Sequence, residues 1–353
     1  MREVRSLTAI RGVAALWVVS AHLAVFYRFP HLGPISKRMY LGFTGVDIFF
    51  VLSGFILTRV YQNLRFSGLA DFALRRVLRI YPMHLCVLAV MAPLVYFSIV
   101  WRNEISLWHT LPIVALLIQP YIGLTHGFWN PPSWSAAVEL SCYMLFYPAL
   151  VLLRRLPLAL LAPLVLLAAF LDWHIQSIYD NAWFDWRCIV RGWSDFALGM
   201  VLGGVAIRLI LPQRMAMLGE IVATALLGWA CIQYDIQLVV LSGAGLIWML
   251  SYEAGLISRL LGMRVPFFLG KISFSIYLIH FPFLEAYGVI WWTSWDPPLS
   301  LLFVVREIVF ITALIGMASV THYLIERPAQ RLWRNRKRNA ANPPVSGQYA
   351  MAD

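Results

Sequence analysis

The sequence predicts an all-α fold, a polytopic membrane bundle of about ten transmembrane helices. Of the 353 residues, 61% are hydrophobic and only 13% are charged, whereas soluble domains carry about 25% charged residues. Mean hydropathy is +0.73. A water-soluble fold of this size could not bury so much apolar side chain, so the lipid bilayer is the expected solvent.

Ten apolar stretches are long enough to be interpreted as spans. One further stretch, 111–124, is short and is broken by Pro112, Pro120 and Gly123. Irregular backbone is tolerated at membrane depth only where protein or water covers it. This stretch is therefore predicted to be a re-entrant or interfacial segment. The ten spans are expected at residues 7–27, 41–61, 81–100, 134–153, 157–171, 196–211, 219–234, 236–251, 272–290 and 300–324.

The basic residues predict the orientation of the bundle. An even number of spans places both chain ends on one side, and it leaves 20 of the 28 Lys and Arg residues in cytoplasmic regions. Positively charged loops remain in the cytoplasm, so both termini are predicted to be cytoplasmic. Arg187 and Arg191 are among the few basic residues expected in outer loops. Residues 1–338 are interpreted as one transmembrane domain, followed by a disordered cytoplasmic tail at 339–353.

Charge and cysteine content exclude some classes of partner. The net charge is +11, but the chain contains no recognisable nucleic-acid-binding module, and no nucleic acid partner is expected. The four cysteines are scattered, without a CxxC pair. A disulfide framework or a metal site is therefore not expected.

The first span carries two ionisable residues on one face. Arg11 and His22 are eleven residues apart, about three helical turns or 16 Å. Ionisable residues within spans are costly and indicate function. A cation near the cytoplasm and an imidazole deeper on the same face suit a long ligand with an anionic head. The alternative is a pair of structural hydrogen bonds between helices.

The second and third spans add a carboxylate and a basic cluster. Asp47 and Ser53 lie in the second span, where Asp47 is interpreted either as a catalytic group or as the partner in a packing ion pair. Arg75, Arg76 and Arg79 precede the third span. Guanidinium groups bind phosphates well, although basic residues here also fit a cytoplasmic membrane anchor.

Two later spans carry polar side chains at helical spacing. In the fourth span, Ser135, Glu139, Tyr143 and Tyr147 recur every four residues, which predicts a polar stripe on one face. The ninth span places Ser273, Tyr277 and His280 on one face as well. Structural hydrogen bonding is the preferred interpretation of that second group. Tryptophans cluster on the predicted outer side, notably in 172–195, as in surfaces that stack against sugars or lie on lipid headgroups.

These motifs resemble the membrane acyltransferase-3 family, whose members O-acylate bacterial surface sugars. The similarity follows the family's order over nearly the whole chain. WSAAVE resembles the family's WSLxxE, with Ala136 in place of leucine. The matching elements are Arg-x10-His (Arg11, His22), GFTGVDIFFVLSGFIL in the second span, ArgxxArg (Arg76, Arg79), WSAAVE (Ser135, Glu139), GKISFSIYLIHFP and IERP.

The resemblance implies acyl transfer, most often of an acetyl group, from acyl-CoA to a hydroxyl of a surface or exopolysaccharide glycan at the bacterial inner membrane. Acetyl-CoA would be a co-substrate, the acceptor a glycan or lipid-linked oligosaccharide, and no metal is implied. On this hypothesis Arg11, Arg76 and Arg79 bind the nucleotide phosphates, and His22 is the general base. Glu139 or Asp47 would orient His22, while Ser135 would bind the oxyanion or carry a covalent acyl group.

Two other classes of protein remain as alternatives. A membrane transporter or flippase of a glycan or lipid-linked precursor would also place polar groups at mid-membrane. The chain lacks an evident two-half repeat, and its arginine cluster lies on one side only. A non-catalytic scaffold would make Arg11, His22 and Glu139 dispensable.

Overall fold

The computed structural model describes residues 3–26, 38–97, 105–124, 129–178, 186–291 and 301–332, and this part of the chain is helical without strands. The all-α prediction is therefore confirmed. The prediction of a tail at 339–353 lies outside the described residues. The ten main helices, numbered in chain order, are α1 Arg5–Phe26, α2 Gly45–Val60, α3 Leu69–Tyr96, α4 Ser133–Arg155, α5 Leu158–Ile178, α6 Arg187–Arg208, α7 Gln213–Gln233, α8 Ile236–Leu250, α9 Arg264–Trp291 and α10 Leu301–Thr321.

Each of the ten predicted spans corresponds to one of these helices. Within the described ranges, nine helical segments are long and apolar enough to cross a bilayer. The exception is α8, which has 15 residues and is therefore about 22 Å long. It is shorter than the hydrocarbon core of a bilayer, about 30 Å thick. The expectation of ten full-length spans is therefore corrected to nine long helices and one shorter apolar helix.

Two helices begin earlier than the hydropathy pattern predicted. Helix α3 begins at Leu69 rather than at 81, so the arginine cluster lies within the helix. Helix α6 begins at Arg187 rather than at 196. Arg191 was expected in an outer loop, and this prediction is wrong: the residue is buried in α6. A charged residue is tolerated there because it has a buried carboxylate partner.

Helices α1 and α9 run parallel, and α10 returns antiparallel to α9. Arg5 stacks on Phe267 near the start of both parallel helices, and His22 meets His280 thirteen to seventeen residues further along. Tyr287 of α9 contacts Glu307 on α10, and Ser275 of α9 contacts Glu326 in the helical turn that follows α10. The described chain therefore starts and finishes at the same end of the bundle, as an even number of crossings requires. This end is called the inner end below.

Glycines allow the closest helix contacts. A Cβ on Gly12 would lie 2.7 Å from the Gly270 nitrogen, and one on Gly270 would collide with the Thr8 carbonyl. This close approach brings α1 and α9 together along the site. Between α2 and α6, a Cβ on Gly199 would collide with the Val51 carbonyl. Small residues at such positions let helix backbones pack directly against each other.

The segment predicted not to span consists of short helical turns at Ile105–Thr110, Leu111–Ala115 and Gln119–Ile122. Side chains of the bundle donate hydrogen bonds to its backbone carbonyls. Nε2 of His84 donates to the Val114 carbonyl at 2.9 Å, and Tyr81 donates to the Leu116 carbonyl. The segment therefore covers α3 and α4 and does not form a span, which confirms the prediction for 111–124.

Candidate active site

A small cavity lies between α1, α2, α3, α4 and α9. Its volume is about 50 Å³, enough for a few water molecules. A longer ligand requires the helices to move apart. Polar and charged side chains share its wall with aromatic rings. The lining residues are Arg11, Val46, Phe49, Phe50, Ser53, Arg79, Ser135, Ala136, Glu139, Ser273, Phe274 and Tyr277.

Glu139 is the carboxylate of this cavity. Its Oε1 accepts a hydrogen bond of 2.9 Å from the Ser53 hydroxyl and another from the Tyr143 hydroxyl. Ser135 and Glu139 both line the cavity, and Tyr143 lies one turn beyond Glu139 on α4. Two members of the predicted polar stripe, Ser135 and Glu139, therefore border the cavity, and Tyr143 and Tyr147 are not in its lining. Two hydroxyl donors on one oxygen hold this half-buried carboxylate in a fixed orientation.

Two arginines line the same cavity as Glu139, and a third lies close by on α3. Arg11 and Arg79 line the cavity. Arg76 stacks on the Tyr143 ring, with its Cζ 5.4 Å from the ring centroid. The charges of Arg76, Arg79 and Glu139 all act on Arg11, and the charge of Glu139 also acts on Arg79. Three guanidinium groups near one carboxylate leave a local excess of positive charge, which favours an anionic ligand.

Glu326 supports this cluster from a π-helical turn at His322–Glu326. Its carboxylate accepts hydrogen bonds from Ser275 at 3.0 Å, from Gln330 at 3.1 Å and from Nδ1 of His322 at 2.9 Å. It also acts electrostatically on Arg79. The sequence motif IERP marks this residue, but it does not reveal that the residue is buried beside the arginine cluster.

Ser135 and Tyr277 form a hydroxyl pair on the cavity wall. Their oxygens are 2.7 Å apart. Both lie within hydrogen-bond distance of the Pro132 carbonyl, at 3.0 Å from Ser135 and 3.1 Å from Tyr277. The loop that begins α4 therefore fixes both hydroxyls. Tyr277 was interpreted from the sequence as structural, but it lines the same cavity as Glu139.

His22 lies outside the cavity lining and beside His280. Nδ1 of His22 donates to the Val18 carbonyl at 3.0 Å, and Nδ1 of His280 donates to the Tyr277 carbonyl at 2.5 Å. Nε2 of His280 is 3.4 Å from Nδ1 of His22. The Tyr277 ring contacts the His280 ring at a centroid distance of 5.8 Å. Tyr277 therefore lies between the histidine pair and the cavity.

Asp47 is engaged elsewhere, with a partner that the sequence did not reveal. Nε of Arg191 donates to Oδ1 of Asp47 at 2.7 Å, and Nη2 donates to Oδ2 at 2.6 Å. Asp172 and Asp195 are also buried near this pair. The ion-pair interpretation of Asp47 is therefore the one that the geometry matches. No pattern in the sequence links residues 144 positions apart.

The structure thus divides the predicted site residues into three groups. The cavity lining contains Arg11, Arg79, Glu139 and Ser135. Arg76 contacts Tyr143 without lining the cavity. His22 and Asp47 also lie outside the lining. Among the described residues, no group of three or more His, Cys, Asp or Glu side chains has the arrangement of a metal site.

Two of the known proteins that this chain resembles are named as acyltransferases. Acyltransferase MdmB of Streptomyces mycarofaciens is 28% identical, over 96% of this chain and 94% of its own length. O-acetyltransferase OatA of Staphylococcus aureus (strain NCTC 8325 / PS 47) is 23% identical, over 99% of this chain and 60% of its own length. No solved structure matches significantly. The sequence model of the acyltransferase domain, acyltransferase-3, matches residues 4–322, and the helical bundle with its buried polar cavity therefore belongs to the acyltransferase-3 family of membrane acyltransferases.

Proposed function

We propose that this protein transfers an acyl group, most often acetyl, from acyl-CoA to a hydroxyl of a bacterial surface or exopolysaccharide glycan. The single observation that carries the proposal is the cavity where Arg11, Arg79 and Glu139 meet the Ser135–Tyr277 hydroxyl pair. It combines groups for an anionic donor with groups for a polar reaction centre, inside a bundle of apolar helices. We place the protein in the inner membrane, with the inner end of the bundle at the cytoplasm.

The arginines suit the donor. The nucleotide part of coenzyme A carries phosphates, and guanidinium groups bind phosphates through charge-assisted hydrogen bonds. Arg11, Arg76 and Arg79 would hold this part near the inner end, with the thioester arm directed towards Ser135. The arm needs more room than the present 50 Å³, so donor binding would separate the helices around the cavity.

His22 would act as general base on the acceptor hydroxyl. As the hydroxyl oxygen attacks the thioester carbonyl, its proton passes to Nε2 of the imidazole. A C–O bond forms, the C–S bond breaks, and the coenzyme A thiolate leaves with a proton returned from the imidazolium. The backbone bond from Nδ1 to Val18 supports this assignment, because a neutral ring with hydrogen on Nδ1 carries its lone pair on Nε2.

Ser135 fits oxyanion stabilisation better than a covalent relay. Its hydroxyl contacts the Tyr277 hydroxyl and the Pro132 carbonyl, and neither group is a general base at neutral pH. A serine nucleophile needs such a base nearby. The two hydroxyls together would donate hydrogen bonds to the developing negative charge on the thioester oxygen.

Glu139 and Asp47 receive different roles. Glu139 would balance the charge of the arginine cluster and fix the cavity wall through Ser53 and Tyr143. Asp47 would support the fold through Arg191. The orientation of His22, for which the sequence suggested a carboxylate, would instead depend on His280.

A glycan acceptor fits the opposite end of the bundle. Trp173 and Trp186 are 45% and 58% exposed where α5 finishes and α6 begins. Exposed indole rings stack well on sugar rings. The relative OatA is named an O-acetyltransferase, which supports a hydroxyl as the group that accepts the acyl chain.

The test uses purified protein in lipid nanodiscs with acetyl-CoA labelled in the acetyl group. Release of coenzyme A and transfer of label to a lipid-linked oligosaccharide are expected for wild type, at a rate that is strongly reduced in His22→Ala. A transporter or flippase would leave acetyl-CoA intact. In parallel, the mass of surface glycan from cells with and without the gene should differ by acetyl groups, which would also identify the acceptor.

A further inference from the structure

A second and larger cavity opens at the inner end of the bundle, between the start of α1 and the last turns of α2. Its volume is about 290 Å³. Thr8 and Arg11 line it from α1, and Ile56, Arg59 and Val60 line it from α2. Apolar side chains therefore form much of the wall, and two guanidinium groups supply its positive charge.

Arg11 connects this cavity with the candidate active site. The residue lines both cavities, so it lies where the two approach each other. A ligand that reached Ser135 from the inner end would therefore pass Arg11. The inner cavity has the position expected of an entrance.

Arg59 is a basic residue of the last turn of α2 that the family motifs do not include. It is half-buried, its Cζ lies 5.5 Å from the centroid of the Phe55 ring, and its buried Nε makes no hydrogen bond to the described residues. Glu3 is the acidic residue of the lining, and it already accepts a hydrogen bond of 2.9 Å from Thr8. Arg59 lines the cavity and is only partly buried, so its side chain supplies positive charge to an incoming anion.

We infer that the inner cavity binds the phosphate-bearing nucleotide end of the acyl-CoA donor, with Arg59 donating to a phosphate. The inference rests on the proposed function and extends it to a residue and a subsite. The nucleotide would occupy the larger cavity against Ile56 and Val60, with one phosphate at Arg59. The phosphates nearer the acyl arm would reach Arg11 and the adjoining arginine cluster.

The first experiment titrates coenzyme A into purified protein by calorimetry, for wild type, Arg59→Gln, Arg59→Lys and Arg155→Gln. Arg155→Gln is the control: it removes one positive charge from the same end of the bundle, at an exposed residue that does not line the cavity. Loss of a charge-assisted hydrogen bond should weaken binding about ten-fold or more in Arg59→Gln. Arg59→Lys keeps the charge and should lose less, and Arg155→Gln should match wild type.

A second experiment does not depend on the folding of Arg59 variants. A cysteine at position 60, in Val60→Cys, lies on the wall of the cavity, and its alkylation by a charged maleimide should be slowed by saturating coenzyme A. A cysteine in Phe66→Cys, at a residue 77% exposed and outside the cavity, should react at the same rate with and without coenzyme A. Alkylation of the four native cysteines is measured in wild type and subtracted.

The two proposals fail in different ways. If wild type binds no coenzyme A, the proposed function fails. If wild type binds coenzyme A while Arg59→Gln binds it equally well, or while Val60→Cys is not protected, this subsite is wrong and the donor enters elsewhere.

Discussion

Nε2 of His280 faces Nδ1 of His22 at 3.4 Å, and the two ring centroids are 4.8 Å apart. Each Nδ1 donates to a backbone carbonyl of its own helix, so both neutral rings carry hydrogen on Nδ1. The Nε2 lone pair of His280 is then directed at the N–H of His22. When His22 accepts a proton, this lone pair stabilises the resulting imidazolium cation. In a catalytic triad, a carboxylate beside the histidine has this role.

His22→Ala is expected to lower the rate of acyl transfer by a factor of about 10² to 10⁴, the usual contribution of a general base. Affinity for coenzyme A should change little. The rate is measured with labelled acetyl-CoA, and folding is checked by thermal unfolding. His174→Ala serves as control because His174 is exposed and lies outside the cavity. Full transfer by a folded His22→Ala protein would contradict the base assignment.

His280→Ala should also reduce kcat, by less than His22→Ala, because it removes the partner of His22 and not the base itself. His280→Gln retains an acceptor and should recover part of the rate. A merely structural role for His280 would lower the thermal stability of both variants without this rescue, so kcat and Tm are measured together.

Arg79→Gln is expected to raise the dissociation constant of coenzyme A by about ten-fold to one hundred-fold, the effect of losing a hydrogen bond to a charged group. Arg79→Lys should fall between this variant and wild type. Binding is measured by titration, and Arg65→Gln is the control, since Arg65 is exposed in the turn after α2. Equal affinities for all these proteins would remove Arg79 from the donor site.

Glu139→Gln separates charge from hydrogen bonding. The amide oxygen of the glutamine can still accept a hydrogen bond from the Ser53 hydroxyl, but the net charge of the cavity increases by one. Coenzyme A should therefore bind as tightly as in wild type or more tightly, while kcat falls because the arrangement of Arg11 and Arg79 changes. Weaker binding of coenzyme A to the folded variant would show that Glu139 contacts the donor directly.

The sequence predicted relationships within one helix more successfully than those between helices. The spacing of Ser135, Glu139 and Tyr143 was sufficient to predict their common face, because helical geometry alone determines it. The early start of α6 was missed because Arg191 and Asp195 lower local hydropathy. Their tolerance in the helix depends on contacts with α2 and α5, which no local pattern contains. The meeting of His280 with His22 depends likewise on the close packing of α1 against α9.

The Asp47–Arg191 pair is expected to stabilise the fold rather than the reaction. Asp47→Ala removes the carboxylate that accepts two hydrogen bonds from the buried Arg191 guanidinium. This should cost about 3–5 kcal/mol, seen as a lower Tm and lower yield. Replacing both residues, with Asp47→Leu and Arg191→Met, should recover much of this loss. If the double variant is stable and binds coenzyme A but transfers no acyl group, Asp47 takes part in the reaction itself.

Gly270→Ala tests whether the α1–α9 contact assembles the site. The added methyl group would collide with the Thr8 carbonyl, so the two helices must separate, and Arg11 and His22 move away from Tyr277 and His280. We expect lower thermal stability together with loss of acyl transfer. Gly228→Ala is the matched control: its methyl group would meet no atom within 4 Å, and alanine favours a helix by about 0.5–1 kcal/mol over glycine. Gly228→Ala should therefore retain activity and stability. If Gly270→Ala behaves in the same way, the close approach of these helices does not control the site.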